Sequence, residues 1–150
     1  MKILVSACLL GLCCRYDGAS RPCPAVIKAA ASHTLIPICP EIYGGLSTPR
    51  PPAERQGARI VARNGRDVTA EYERGAQEAL RLARLMDIHH AILKEKSPSC
   101  GYGRIYDGTF TGTLTDGNGV TAQCLRDAGL ELHGETQAAD WLQSLETTNH

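Results

Sequence analysis

Short apolar runs separated by helical patterns constrain the fold of this chain more than any other feature. The runs are Ile3–Ser6, Leu35–Ile38, Ala91–Lys94 and a weaker Leu130–His133. The first three are continuous and do not alternate with polar residues, which is typical of strands covered on both faces. We therefore predict an α/β fold: a three-layer, Rossmann-like, open and mainly parallel sheet with right-handed crossovers.

Helical patterns lie between these strands. They are predicted at Pro22–Ala31, from Thr69 to Met86, at Val120–Ala128 and around Ala138–Leu145. Prolines suit the first turn of the first helix, Thr69 is expected to cap the second, and Gly129 is expected to end the third. One interruption, Arg59–Val68, predicts a small hairpin insertion that turns at Asn64-Gly65.

Composition excludes several classes of protein. A chain of 150 residues suits one domain, so we expect a single domain over residues 1–150. The 16 basic residues balance the 16 acidic ones, which argues against a strongly electropositive nucleic-acid binder. Trp, Tyr and Phe supply 5% of the residues, which argues against an aromatic stacking platform for nucleic acid.

The N-terminal segment Met1–Leu12 imitates a secretory or lipoprotein signal. Its apolar stretch before Ser6 is shorter than the roughly 7–15 residues that such a signal needs, so a buried first strand fits better. No stretch reaches the roughly 18 apolar residues of a membrane span. The seven cysteines then indicate reduced thiols, and we expect a cytoplasmic protein with no membrane partner.

Three cysteines follow three of the predicted strands. Cys8 follows Ile3–Ser6, Cys39 follows Leu35–Ile38, and Cys100 lies shortly after Ala91–Lys94. Because the carboxyl ends of parallel strands meet at one edge of a sheet, these thiols are expected to meet in space. Thiolates are ligands for zinc and for iron–sulfur clusters, so the sequence predicts a metal site at this edge.

The other cysteines receive different interpretations. Cys124 shares a helix face with Val120 and Ala128, and Cys23 lies in the Pro-rich start of a helix, so both are expected to be structural. Cys13 and Cys14 are adjacent, and at most one of them is expected to point toward a metal.

Two long segments carry the remaining candidates. Cys39–Gly57 and Ser97–Gly119 have little regular pattern, and each begins after a buried strand, where long loops are usually functional. Glu41 is predicted to transfer protons beside the metal. Ser97 and Ser99 are predicted to orient water or substrate. Arg50 is predicted to hold an anion or a base.

The identity of the metal remains open from spacing alone. The chain has no C-x₂-C pair, which argues against a zinc ribbon or a ferredoxin-type run. Three thiolates suggest a cluster with one iron that lacks a protein ligand and acts as a Lewis acid toward sulfur. With Cys14 as a fourth ligand the site would be closed and structural. A closed four-thiolate zinc or redox-sensing domain without catalysis is the corresponding alternative.

Several longer motifs resemble the DUF523 family, whose characterised members are thiouracil desulfidases. The match runs from residue 1 to about 130 and rests on the motifs Ser6–Gly11, Cys14–Gly18, Cys39–Glu41, Thr48–Pro52, Ser97–Gly101, Ile105–Phe110 and Gly119–Ala122. The resemblance implies a 4Fe–4S cluster held by Cys8, Cys39 and Cys100, with Glu41 and Ser97 assisting catalysis.

The implied activity is a hydrolytic, non-redox removal of the thiocarbonyl sulfur from a 2-thiouracil-like pyrimidine. Its products are the oxo base and sulfide, and it requires no flavin or nicotinamide. The implied partner is a small thiolated base. Thiolated tRNA is a less favoured substrate because the neutral net charge does not suit RNA binding. The sequence does not indicate the oligomeric state.

Overall fold

The structure, a computed structural model, describes residues 1–148. In chain order its strands are β1 (Lys2–Ser6), β2 (Thr34–Ile38), β3 (Ala53–Gln56), β4 (Arg59–Ala62), β5 (His90–Leu93), β6 (Arg104–Tyr106), β7 (Leu114–Asp116) and β8 (Glu131–Gly134). The helices are α1 (Pro24–Ala29), α2 (Pro40–Tyr43), α3 (Thr69–Leu85), α4 (Val120–Asp127) and α5 (Glu135–Thr148), and a short 3₁₀ helix spans Ala7–Leu10.

The central sheet confirms the predicted fold class. Its strand order is β2-β1-β5-β8, and every neighbouring pair is parallel. The register places Leu4 of β1 between Ile36 of β2 and Ala91 of β5. Each of the four predicted strands is present, with boundaries shifted by one residue or less.

Helices cover both faces of this sheet because successive strand residues point to opposite sides. Leu4 packs on the face where α3 and α4 contribute Ala79 and Leu125 to the core. Its neighbours Ile3 and Val5 pack on the other face, against α1 and α5. The result is the predicted three-layer arrangement. In the described part, residues 1–148, no helix combines the length and apolarity needed to cross a membrane.

The start of α3 differs from the prediction. The helix begins at Thr69, but Val68 occupies the capping position, and no side chain caps it. The Thr69 hydroxyl instead accepts a hydrogen bond from the backbone N–H of Ile60 at 2.9 Å, which ties α3 to β4. The Thr69 N–H donates to Asp67 Oδ1 at 2.9 Å. The Thr69 side chain therefore links α3 to β4 and does not cap the helix.

The hairpin insertion is present but is centred on another turn. The antiparallel pair β3–β4 turns at Gly57-Ala58, where Gly57 has a left-handed φ of 65°. Asn64-Gly65 forms the predicted turn as a second one, closed by the backbone hydrogen bonds Ala62 N–H to Arg66 C=O and Gly65 N–H to Ala62 C=O and by an isolated bridge between Val61 and Asp67. A further hairpin, β6–β7, lies in the glycine-rich segment that the sequence pattern left irregular.

Two glycines allow α2 to approach α3 very closely. A Cβ atom at Gly75 would lie 1.9 Å from the Pro40 carbonyl oxygen, and one at Gly44 would lie 1.9 Å from the Glu71 carbonyl oxygen. Only residues without a side chain fit at both positions. This contact fixes the Cys39-Pro40-Glu41 segment against the long helix.

Candidate metal and catalytic site

A cavity of about 650 Å³ opens at the carboxyl-terminal edge of the parallel sheet. The thiols and polar side chains on its walls include Cys8, Cys14, Cys39, Cys100, Glu41, Ser97 and Arg50. The sheet thus brings the three cysteines predicted from strand ends to one cavity, although 31 and 61 residues separate them along the chain. This is the convergence expected of parallel neighbours.

The thiols reach the cavity from both faces of the sheet. Cys8 lies in the 3₁₀ helix after β1 and packs with the apolar cluster under α1 and α5. Cys100 lies in the turn after β5 and packs with the cluster under α3 and α4. The Ser6 hydroxyl accepts a hydrogen bond from the Lys94 N–H at 2.9 Å and so joins the ends of the two central strands.

Cys14, whose role the sequence left open, lies beside Cys39. The Cys39 thiol donates to the Cys14 carbonyl oxygen at 3.6 Å. A hydrogen bond between the two thiols lowers the pKa of Cys14 and raises that of Cys39. Cys13 is exposed, so only one of the adjacent pair points inward, as expected.

Burial governs the protonation of the other two thiols. Desolvation raises the pKa of Cys8 to about 11, although the nearby Lys94 ammonium opposes the shift. Desolvation also raises the pKa of the fully buried Cys100 thiol well above its usual range. These thiols are therefore protonated at neutral pH in the metal-free protein, and binding a metal as thiolates would release protons.

The raised pKa of Cys8 predicts that the metal-free protein loses stability as the pH rises above 9. Above the unfolded pKa of 9.0 the unfolded chain binds fewer protons than the folded chain, so the free energy of unfolding falls until about pH 11. The loss from Cys8 alone is expected to reach roughly 2–3 kcal/mol. Anaerobic urea titrations between pH 8 and 11 would measure it. Cys8→Ser should show a smaller fall, and an equal fall in both proteins would contradict this assignment.

Glu41 and Ser97 occupy suitable positions for proton chemistry. Glu41 is in the first turn of α2, is 9% exposed, and its Oε2 accepts from the Cys39 thiol at 3.7 Å. The Ser97 hydroxyl oxygen accepts from the N–H groups of Ser99 and Cys100 at 3.0 and 3.1 Å. Because its lone pairs accept these bonds, Ser97 has its hydroxyl proton to offer to a molecule in the cavity.

Ser99 and Arg50 make protein contacts that the sequence did not predict. Ser99 is fully buried, pairs with the Thr121 hydroxyl at 2.9 Å and is not a wall residue of the cavity. It ties the Cys100 turn to α4. Arg50 does line the cavity, but its guanidinium donates to Ser47 and Thr48 and, at 3.1 Å, to the Cys14 carbonyl oxygen. These hydrogen bonds hold the Cys14 loop in place.

Lys94 is a cavity residue that the sequence interpretation passed over. Its ammonium contacts Glu135 Oε1 at 2.6 Å and the Glu95 carbonyl oxygen at 3.3 Å, and it lines the cavity beside Cys8. The signal that could have identified Lys94 in the sequence is its position, because it is a charged residue at the end of an apolar strand.

The remaining cysteines lie elsewhere, as predicted. Cys23 packs in the apolar cluster under α1, and Cys124 lines a separate groove between α3 and α4. Within residues 1–148, no three side chains of His, Cys, Asp or Glu stand close enough to share a single metal ion.

Comparisons with known proteins identify relatives of this chain. The family model for 2-thiouracil desulfurase matches residues 3–137. The Bacillus subtilis (strain 168) protein YbbK, described as uncharacterized, is 43% identical, and the match covers 93% of this chain and 99% of YbbK.

A solved structure described as the [4Fe-4S]-dependent thiouracil desulfidase TudS (DUF523Vcz) has a TM-score of 0.90 and 47% identity. The match covers 97% of this chain and 98% of that one. These findings confirm the resemblance drawn from the sequence motifs. The chain belongs to the 2-thiouracil desulfurase family.

Proposed function

We propose that residues 1–150 form a single desulfidase domain that removes the thiocarbonyl sulfur from a small thiolated pyrimidine such as 2-thiouracil. The observation that carries this proposal is the meeting of Cys8, Cys39 and Cys100 in one cavity with the Glu41 carboxylate. Family membership and the TudS neighbour support it.

The cofactor we propose is a 4Fe–4S cluster. The donor set fits it, because every cysteine is a free thiol and four of the seven line this cavity. Cys8, Cys39 and Cys100 would hold the cluster, with Cys14 adjacent to Cys39. A cluster held by three protein thiolates supplies one open iron, a Lewis acid for a thiocarbonyl sulfur.

The protein residues would handle water and protons. Glu41 accepts a proton from the water that attacks the carbon bearing sulfur, and Ser97 donates a hydrogen bond that orients this water or the base. The carbon–sulfur bond is replaced by a carbon–oxygen bond, and water and the thiocarbonyl become the oxo base and hydrogen sulfide. No electron is transferred overall, so neither a flavin nor a nicotinamide is needed.

Cavity size supports a small substrate. A volume of about 650 Å³ lies within the range of roughly 300–1,000 Å³ that is usual for small-molecule sites. A free thiolated base is therefore favoured over a thiolated tRNA. We further propose a cytoplasmic location, which is supported by the seven free cysteines.

Anaerobic reconstitution with iron and sulfide, followed by incubation with 2-thiouracil, tests this function. We expect a brown protein that binds iron and releases uracil and sulfide in equal amounts. Colourless protein with stoichiometric zinc would indicate the closed binding domain instead. Activity on thiolated tRNA and none on the free base would show that the substrate is a thiolated RNA. Iron binding without sulfide release from either substrate would overturn it.

A further inference from the structure

Phe110, the one phenylalanine of the chain, lies in a conformation that phenylalanine rarely adopts. Its φ is 59°, in the left-handed region where bulky side chains are unfavourable. Such outliers persist only where the surrounding structure holds them, and they concentrate at functional sites.

The buried carboxylate of Glu54 holds this loop in place. Glu54 is 9% exposed, and its Oε1 accepts from the N–H groups of Gly108 at 3.0 Å and Phe110 at 3.1 Å. The Gln56 side chain also donates to the Gly108 carbonyl oxygen at 2.9 Å. The hairpin β3–β4 thus fixes the backbone at the strained residue and just before it.

The consequence is an aromatic ring on the cavity wall. Phe110 lines the same cavity as the cysteines, and the Arg63 guanidinium carbon lies over its ring at 5.6 Å from the centroid. That cationic contact occupies part of the ring surface and orients it. A planar heterocycle gains stacking energy from such a ring whatever its substituents are.

We propose that Phe110 is a substrate-binding residue that stacks on the pyrimidine ring and selects cyclic aromatic thiocarbonyl compounds over acyclic ones. This inference rests on the proposed desulfidase function. The low aromatic content argued against a stacking platform for nucleic acid, which needs several rings. One fixed ring is enough to stack on a single base.

The test compares Phe110→Leu, which keeps an apolar side chain, with Phe110→Tyr, which keeps the aromatic face. For the reconstituted full chain, Phe110→Leu is expected to raise the KM for 2-thiouracil roughly ten-fold while kcat changes little. The KM for thiourea, which has no ring, should not change. Phe110→Tyr should retain the wild-type preference.

Uracil binding provides a readout that needs no sulfur removal. By calorimetry, the Kd of the reconstituted chain for uracil is expected to rise roughly ten-fold in Phe110→Leu and to stay near the wild-type value in Phe110→Tyr. Thermal melting of both variants shows whether they are folded. Weakened uracil binding with no sulfide released would defeat the desulfidase proposal but keep the stacking site. Equal uracil Kd in wild type and a folded Phe110→Leu, or no uracil binding by wild type, would overturn the stacking inference.

Discussion

Serine in place of Cys8, Cys39 or Cys100 is expected to leave the anaerobically reconstituted protein without iron and without desulfidase activity. Each thiol comes from a different strand end, so each substitution removes a ligand from a different side of the cavity. A hydroxyl is a much poorer ligand for iron–sulfur clusters than a thiolate. Iron content and visible absorption after desalting would measure the effect, with far-ultraviolet circular dichroism as the check on folding.

Two cysteines outside the cavity provide matched controls. Cys124 lies on α4 and lines the groove between α3 and α4, and Cys13 is exposed, so Cys124→Ser and Cys13→Ser should both retain iron. Loss of iron in either control, with iron kept in Cys8→Ser, would show that the ligands are assigned wrongly.

Cys14→Ser decides between an open and a closed site. If Cys14 is an accessory thiol beside Cys39, the variant should bind iron and release sulfide. If iron is lost in Cys14→Ser and kept in Cys39→Ser, Cys14 takes the place of Cys39 in the ligand set.

The placement of the three cysteines was predictable because it depends on topology alone. Continuous apolar runs separated by helices indicate a parallel sheet, and a parallel sheet brings the carboxyl ends of its strands together. Neither step requires knowledge of the path that a loop takes. Cys8 and Cys39 follow their strands within two residues, so the position of each thiol is fixed closely by the end of its strand.

Side chains within the loops could not be oriented from the sequence. Ser97 and Ser99 flank one proline, yet Ser97 lines the cavity and Ser99 is buried against Thr121. Which of them faces inward depends on the turn that Ser97 stabilises through two backbone N–H groups. Phe110 is similar, because its position follows from hydrogen bonds to Glu54, 56 residues away along the chain.

Glu41→Gln is expected to lower kcat roughly 10²- to 10⁴-fold while leaving the iron content unchanged. Glutamine has nearly the same shape, but its amide cannot take a proton from water. Because burial and the contact between α2 and α3 hold the segment, the substitution should not move Cys39. Sulfide release under saturating 2-thiouracil would measure kcat, and iron analysis of the same sample would confirm loading.

Glu73→Gln is the matched control for this change, because it makes the same substitution on the exposed face of α3 and should keep wild-type kcat. A kcat of Glu41→Gln within ten-fold of the wild-type value, at full iron content, would mean that another group accepts the proton. In that case Glu41 has only a structural role beside Cys39.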